Sequence, residues 1–271
     1  MKTKFFVTIL VSLLLISVVS ASMIIPVNEK AKENAKAPEN SVVIDNTDAG
    51  EWELVAPNIR SRVKGELVQY EIIHYKKGYG KQGTAGAKVP NCYGFISATK
   101  PKWKSLPAGY VINPSNPQGL SESFITSSIL TSAETWDFAT SKELFNNAYG
   151  IDYTAKYGVQ NYKNALVFGN YPEAGVIAVT SIWWNPATKS IVEFDILLDT
   201  DFLWGDATLE PSKMDLQNIA THELGHGVGL GDLYSSTCSE VTMYGYSNYG
   251  ETKKRTLEKP DITGLQTLYG I

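Results

Sequence analysis

The stretch His222-Glu223-Leu224-Gly225-His226-Gly227-Val228-Gly229-Leu230-Gly231-Asp232 decides how this chain is read. Apolar residues upstream, Leu216, Ile219 and Ala220, predict a helix from about Ser212 to Gly227. On that helix His222 and His226 lie one turn apart and project from one face, so two imidazoles can bind one ion. Glu223 stands beside them, placed to take a proton from a water activated by the metal. Gly229 suits a sharp left-handed turn, which would swing the Asp232 carboxylate back towards both imidazoles. Two His and one carboxylate leave a fourth zinc position open, as a catalytic site requires.

Working outward, Ala165–Phe168, Gly175–Trp184 and Ile191–Leu198 read as strands, with a short one at Tyr110–Ile112. An amphipathic helix is predicted over 121–139, with Ser121 as N-cap and Ile125, Ile129, Ala133 and Trp136 on one face. A last helix opens at Pro260-Asp261 and ends at Gly270. Strands and helices mix without repeats, which predicts an α+β domain over 92–271, with a twisted sheet of about five strands and three helices.

Residues 1–21 read as a secretory signal: Lys2 and Lys4, the apolar run Phe5–Val19, then small residues to Ala21. Residues 22–91 form an N-terminal segment whose part at 28–50 reads as a flexible arm. Within it Glu66–Tyr75 suits a strand, and the Gly-rich stretch 76–88 suits a linker. His74, the third of only three histidines, reads as a partly exposed strand residue. A net charge of -4 argues against a nucleic-acid partner. Apart from the signal, no run is long and apolar enough to span a bilayer.

The string from His222 to Asp232 resembles the elongated zinc motif of the metzincin proteases, with Asp in place of the usual third His. Thr242-Met243-Tyr244-Gly245-Tyr246, eleven residues beyond Asp232, resembles their Met-turn. The tail Arg255–Gly270, together with Pro101-Lys102-Trp103 and Trp136, is similar to the matrixin branch, closest to the secreted matrixin-like proteases of prokaryotes. The resemblance covers 92–271 and implies a secreted zinc endopeptidase with His222, His226 and Asp232 as ligands of one catalytic ion, Glu223 as general base and Met243 supporting the site from beneath. It implies a peptide or protein substrate laid along the strand Gly175–Trp184, and Tyr244 and Tyr246 are candidates for its pocket. The rival readings are a zinc hydrolase of a non-protein amide or polymer, and a catalytically silent binding protein on the same fold.

Departures from the family limit what carries over. Glu240 is the rival to Asp232 as ligand. No histidines remain for the structural zinc of animal matrixins, and the family's calcium-binding acidic run is only partly echoed at Asp199-Thr200-Asp201. Gly245 stands where a pocket-wall proline is usual, and Pro260 replaces one of two adjacent acids. Cys92 and Cys238 suit a disulfide in an exported protein, closing a long loop at roughly 2–5 kcal/mol. The alternatives are a zinc-blocking thiolate at Cys92, which resembles the family's latency motif faintly, and two inert thiols. Residues 22–91 are either a propeptide or a permanent arm. Lys253-Lys254-Arg255 reads as a solvated basic surface, and Trp183-Trp184 as sheet packing or a cleft wall. No feature indicates an oligomer, so a monomer is expected.

Overall fold

The structure is a computed structural model in which residues 50–80 and 91–271 are described. The signal, nearly all of the arm and most of the linker lie outside the described residues. Twelve strands and three α-helices follow one another along the described chain. The first three strands are β1 (Glu53–Ala56), β2 (Ile59–Lys64) and β3 (Leu67–Lys76). Then come β4 (Lys102–Trp103), β5 (Tyr110–Asn113), α1 (Glu122–Asp137), β6 (Gly150–Ile151) and β7 (Asn164–Gly169). Next are β8 (Val176–Asn185), β9 (Ser190–Asp199), β10 (Trp204–Gly205), β11 (Met214–Asp215) and α2 (Leu216–Gly227). The chain closes with β12 (Tyr246–Ser247) and α3 (Lys259–Tyr269).

Ten strands share one mixed sheet, in the order β1-β2-β3-β8-β9-β7-β5-β6, with β12 beside β3 and β4 beside β9. Of the five strands from β8 to β6, four (β5, β7, β8 and β9) match those expected from the sequence and β6 is an addition; β9, β7, β5 and β6 run parallel, and β8 is antiparallel to β9. The N-terminal segment adds β1, β2 and β3 to the edge of β8, beyond the sheet of about five strands expected over 92–271. Strand β3 pairs antiparallel with β8 from Val68↔Trp184 to Tyr75↔Val176. That covering explains why β8 is buried at every position but its last, and why Trp183 and Trp184 are core residues.

Helix α1 begins at Ser121, whose hydroxyl accepts from the Phe124 amide at 3.2 Å, and buries Ile125, Ile129, Ala133 and Trp136 as its periodicity requires. Trp136 donates its indole N–H to the Thr221 carbonyl at 2.7 Å, which fixes α1 against α2. Helix α2 starts at Leu216, later than the expected Ser212. Met214-Asp215 is held instead as a strand against Trp204-Gly205, and Asp215 caps the helix by accepting from the Asn218 amide at 2.8 Å.

Asp215 is wholly buried and pairs with Arg255, whose Nε reaches Oδ1 at 2.8 Å and whose Nη2 also bonds Oδ2. Arg255 additionally holds Asp206 at 2.6 Å. The solvated basic surface expected at 253–255 is thus corrected: Arg255 neutralises a buried helix cap, Lys254 is fully buried, and only Lys253 faces an exposed acid, Glu240. Arg255→Met leaves the Asp215 carboxylate buried without its cation, and chemical denaturation should show a loss of about 3 kcal/mol.

Candidate metal centre and active site

Helix α2 carries His222 and His226 on its buried face, and the turn after it brings Asp232 to them. Gly229 adopts φ +101°, and a Cβ there would lie 2.6 Å from the Pro101 carbonyl oxygen, so glycine alone suits the turn. Each imidazole is oriented by its Nδ1. In His222 it donates to the Thr242 carbonyl at 2.7 Å, and in His226 to the Leu230 carbonyl at 2.9 Å. Both Nε2 atoms then present lone pairs to each other across 3.1 Å. Asp232 Oδ1 stands 3.1 Å from one and 3.4 Å from the other.

Three acceptor atoms converging on one point repel unless something positive lies between them. Burial opposes charge on His226 and on Asp232. Their mutual attraction outweighs it, holding the Asp232 carboxyl well below its ordinary range and raising His226. His222 is pushed down to about 3 by burial and by the neighbouring Lys254, and so stays neutral. The spacing also fits a zinc ion: ligands about 2.0–2.1 Å from a tetrahedral centre lie about 3.3 Å apart. Asp232 Oδ1 is buried and makes no hydrogen bond, whereas Oδ2 accepts from the Tyr234 hydroxyl at 2.8 Å. The orphaned atom is the one aimed at the two imidazoles. Glu240, the rival ligand, is exposed and bonded to Lys253.

Tyr234 was not singled out from sequence, although a tyrosine two residues past the carboxylate is near enough to steady it. Gly245 makes room for its ring, since a Cβ there would lie 2.4 Å from Tyr234 Cε1. Tyr234→Phe removes the bond that aims Asp232, and zinc affinity measured by competition with a chelating dye should fall about tenfold. Met243 lies beneath the helix against Gly225, where a Cβ would meet its Sδ at 2.4 Å. The amides of Thr242 and Met243 are fastened by the buried Asp261 carboxylate at 2.9 and 3.2 Å, so α3 holds the Met-turn in place. Tyr246 is buried and edge-on to both Tyr234 and Tyr244.

Glu223 is buried beside the imidazoles, and burial raises its carboxyl to about 7. Its Oε2 accepts from the Thr180 hydroxyl of β8 at 2.5 Å. Its Oε1 meets Nδ1 of His74 at 2.8 Å. The expectation of a partly exposed His74 is therefore wrong. The side chain is fully buried, its ring centroid 4.0 Å from that of His222, because β3 lies in the cleft between β8 and β12. Strand β12 pairs parallel to β3 (Tyr246↔Tyr75), and Lys77 donates to the Ser247 carbonyl at 3.0 Å. Farther along β3, Glu71 accepts from Arg60 at 2.7 Å and from Tyr157 at 2.9 Å.

Cys92 and Cys238 form a disulfide, which excludes the zinc-blocking thiolate. Two buried carboxylates of β9 hold the loop that precedes β7. Glu193 accepts from the amides of Asn161 and Tyr162 at 2.9 and 2.7 Å, and Asp195 from Gly158 at 2.9 Å.

Residues 102–270 match the family profile described as Matrixin. The chain belongs to the matrixin family. This matrixin is 42% identical to matrilysin of Rattus norvegicus over 76 residues, 28% of the chain and 27% of that protein. It is 42% identical to metalloendoproteinase 1 of Glycine max over 78 residues, 27% of the chain and 24% of that protein. A longer alignment, with neutrophil collagenase of Homo sapiens, gives 25% identity over 185 residues, 68% of the chain and 37% of that protein. The chain thus spans between about a quarter and two fifths of these relatives' lengths. Among the described residues, no helix is long and apolar enough to cross a membrane.

Proposed function

We propose that this matrixin is a secreted zinc endopeptidase, and that residues 22–91 are a propeptide whose strand β3 blocks the cleft until it is removed. The observation that carries the reading is the convergence of His222 Nε2, His226 Nε2 and the orphaned Asp232 Oδ1, with Glu223 beside them. Those three atoms would hold zinc, which supplies Lewis acidity towards the scissile carbonyl and the attacking water. Glu223 takes the proton of that water and passes it to the leaving amine, and a carboxyl near neutrality suits both transfers. Thr180 fixes one oxygen of Glu223, and the other, bonded to His74 in this structure, becomes free for the proton once β3 has left.

Strand addition is the mode of substrate binding that this sheet favours. Once β3 has gone, β8 offers a row of unpaired amides and carbonyls, and an extended peptide can pair with it. The direction of β3, antiparallel to β8 and parallel to β12, is the direction such a peptide would take. In the latent chain His74 ties up Glu223 and β3 fills the peptide's place, which supports inhibition by occupancy of the cleft. The sequence of residues 1–21 supports export, and the relatives' names, matrilysin and collagenase among them, support proteolysis.

The test compares zinc-loaded and chelator-stripped protein on a mixed peptide pool after the N-terminal segment has been cut away. The loaded enzyme should cleave bonds inside peptides, the stripped one should be silent, and readdition of zinc should restore cutting. Zinc bound at one per chain with no peptide cut would overturn the endopeptidase reading. A hydrolase of another polymer, or a binding protein on the same fold, would then lead.

A further inference from the structure

The side chain of His74 is buried between Glu223 and His222 of α2 and the side chain of Lys254, a space that would open as a pocket if β3 left. Its Nδ1 end faces Glu223, and its Nε2 end faces the ammonium of Lys254, 3.4 Å away. Lys254 is fully buried, an unusual place for an ammonium group. Its main-chain amide donates to Asn218 Oδ1 at 2.7 Å, which fixes the residue against α2, and its Nζ donates to the Tyr244 carbonyl. His222 Nδ1 also lies 3.5 Å from Nζ, but that nitrogen is already donating to Thr242 and has no lone pair to offer. Among the described residues Lys254 has no salt bridge. Glu251, Asp232 and Glu223 act on it only from farther off, against the like charge of Lys253.

A buried ammonium aimed at a removable occupant is a recognition element. We propose that, in the endopeptidase proposed above, this pocket selects an acidic side chain of the substrate at the position His74 now holds, next to the cut bond, and that Lys254 is the residue that selects it. The geometry favours Glu over Asp. Nε2 of His74 lies three bonds beyond Cβ, as does a carboxylate oxygen of Glu, so a Glu at this register brings its charge to Nζ. Asp falls one bond short. An apolar side chain would leave the ammonium buried with, among the described residues, the Tyr244 carbonyl as its acceptor and no carboxylate in contact, the costly arrangement for a charge out of water. The neutral imidazole of His74 serves as a weaker filler, which suits a segment that must leave.

The test uses the zinc-loaded enzyme, freed of its N-terminal segment, on paired peptides that differ only by Glu or Gln beside the cut bond. We expect kcat/KM for Glu to exceed that for Gln at least about tenfold, the scale of a charge-assisted hydrogen bond over a neutral one. In Lys254→Met the ratio should fall to within about twofold, with Leu now accepted. A ratio near one in the parent, or one unchanged in Lys254→Met, overturns the proposal and leaves the endopeptidase reading standing.

A second measurement needs no catalysis. In the full chain carrying Glu223→Gln, His74→Glu should melt several degrees above His74→Gln, and Lys254→Met should abolish that difference. Equal melting of the two variants overturns the pocket even if no peptide is ever cut, in which case the endopeptidase reading fails on its own evidence.

Discussion

Glu223→Ala should lower kcat on a cleaved peptide by about 10²–10⁴, the usual contribution of a positioned general base, while zinc content stays at one per chain. The separation of these two readouts follows from the geometry. Glu223 supplies none of the three converging atoms, and the imidazoles are oriented by Thr242 and Leu230 and not by it. Alanine removes a carboxylate that burial already holds near neutrality, so removing it imposes little cost on the fold. Thr180 and His74 both lose their partner, and Tm should fall by a few degrees. Atomic absorption on the purified variant, beside single-turnover kinetics, checks both halves. A variant that lost its zinc would show Glu223 to be structural, and one that kept full activity would remove it from the chemistry.

The second large effect concerns β3. A recognition sequence for a site-specific protease, inserted between Gly80 and Asn91, allows the segment to be cut on demand. Cutting followed by dilution to nanomolar protein should raise peptide hydrolysis about a hundredfold or more. A tethered strand faces the cleft at an effective concentration of order millimolar, and once untethered it competes only at its bulk concentration. It is held by the ladder along β8, by Glu71 on Tyr157, and by His74 on Glu223. Ile72 and Ile73 are buried as well, so release exposes apolar surface and the uncut chain should stay shut. An equal rate before and after cutting would make residues 22–91 a permanent arm and not an inhibitor.

These outcomes mark where the sequence was legible. The convergence of His222, His226 and Asp232 could be read because it depends on helical spacing and one tight turn, both local. The same holds for the Ser121 cap and for the buried face of α1. His74 was misread because its burial depends on β3 finding β8, more than a hundred residues away, and a strand's own pattern does not say which edge it will cover. Lys254 and Arg255 were misread for a related reason. A run of three basic residues looks like surface until the chain folds an acid, or a cavity that wants one, against it. Asp215 shows the limit on boundaries: the helix pattern extends back past it, but a two-residue strand and an Arg255 pair hold it as the cap.

The disulfide between Cys92 and Cys238 has a bearing on how the proposed latency can be released. Both of the chain's cysteines are spent on it, so no thiol is left to serve as a chemical fuse on the metal. Alkylating agents and mercurials, which would trip a thiolate latch, find no free thiol here to act upon. If residues 22–91 are the proposed propeptide, the decision to switch on is thereby detached from thiol chemistry around the molecule. On that reading it rests with whatever breaks the backbone ahead of Cys92, so a matrixin latched in this way would take its instructions from another peptide-bond cleavage, its own kind of chemistry.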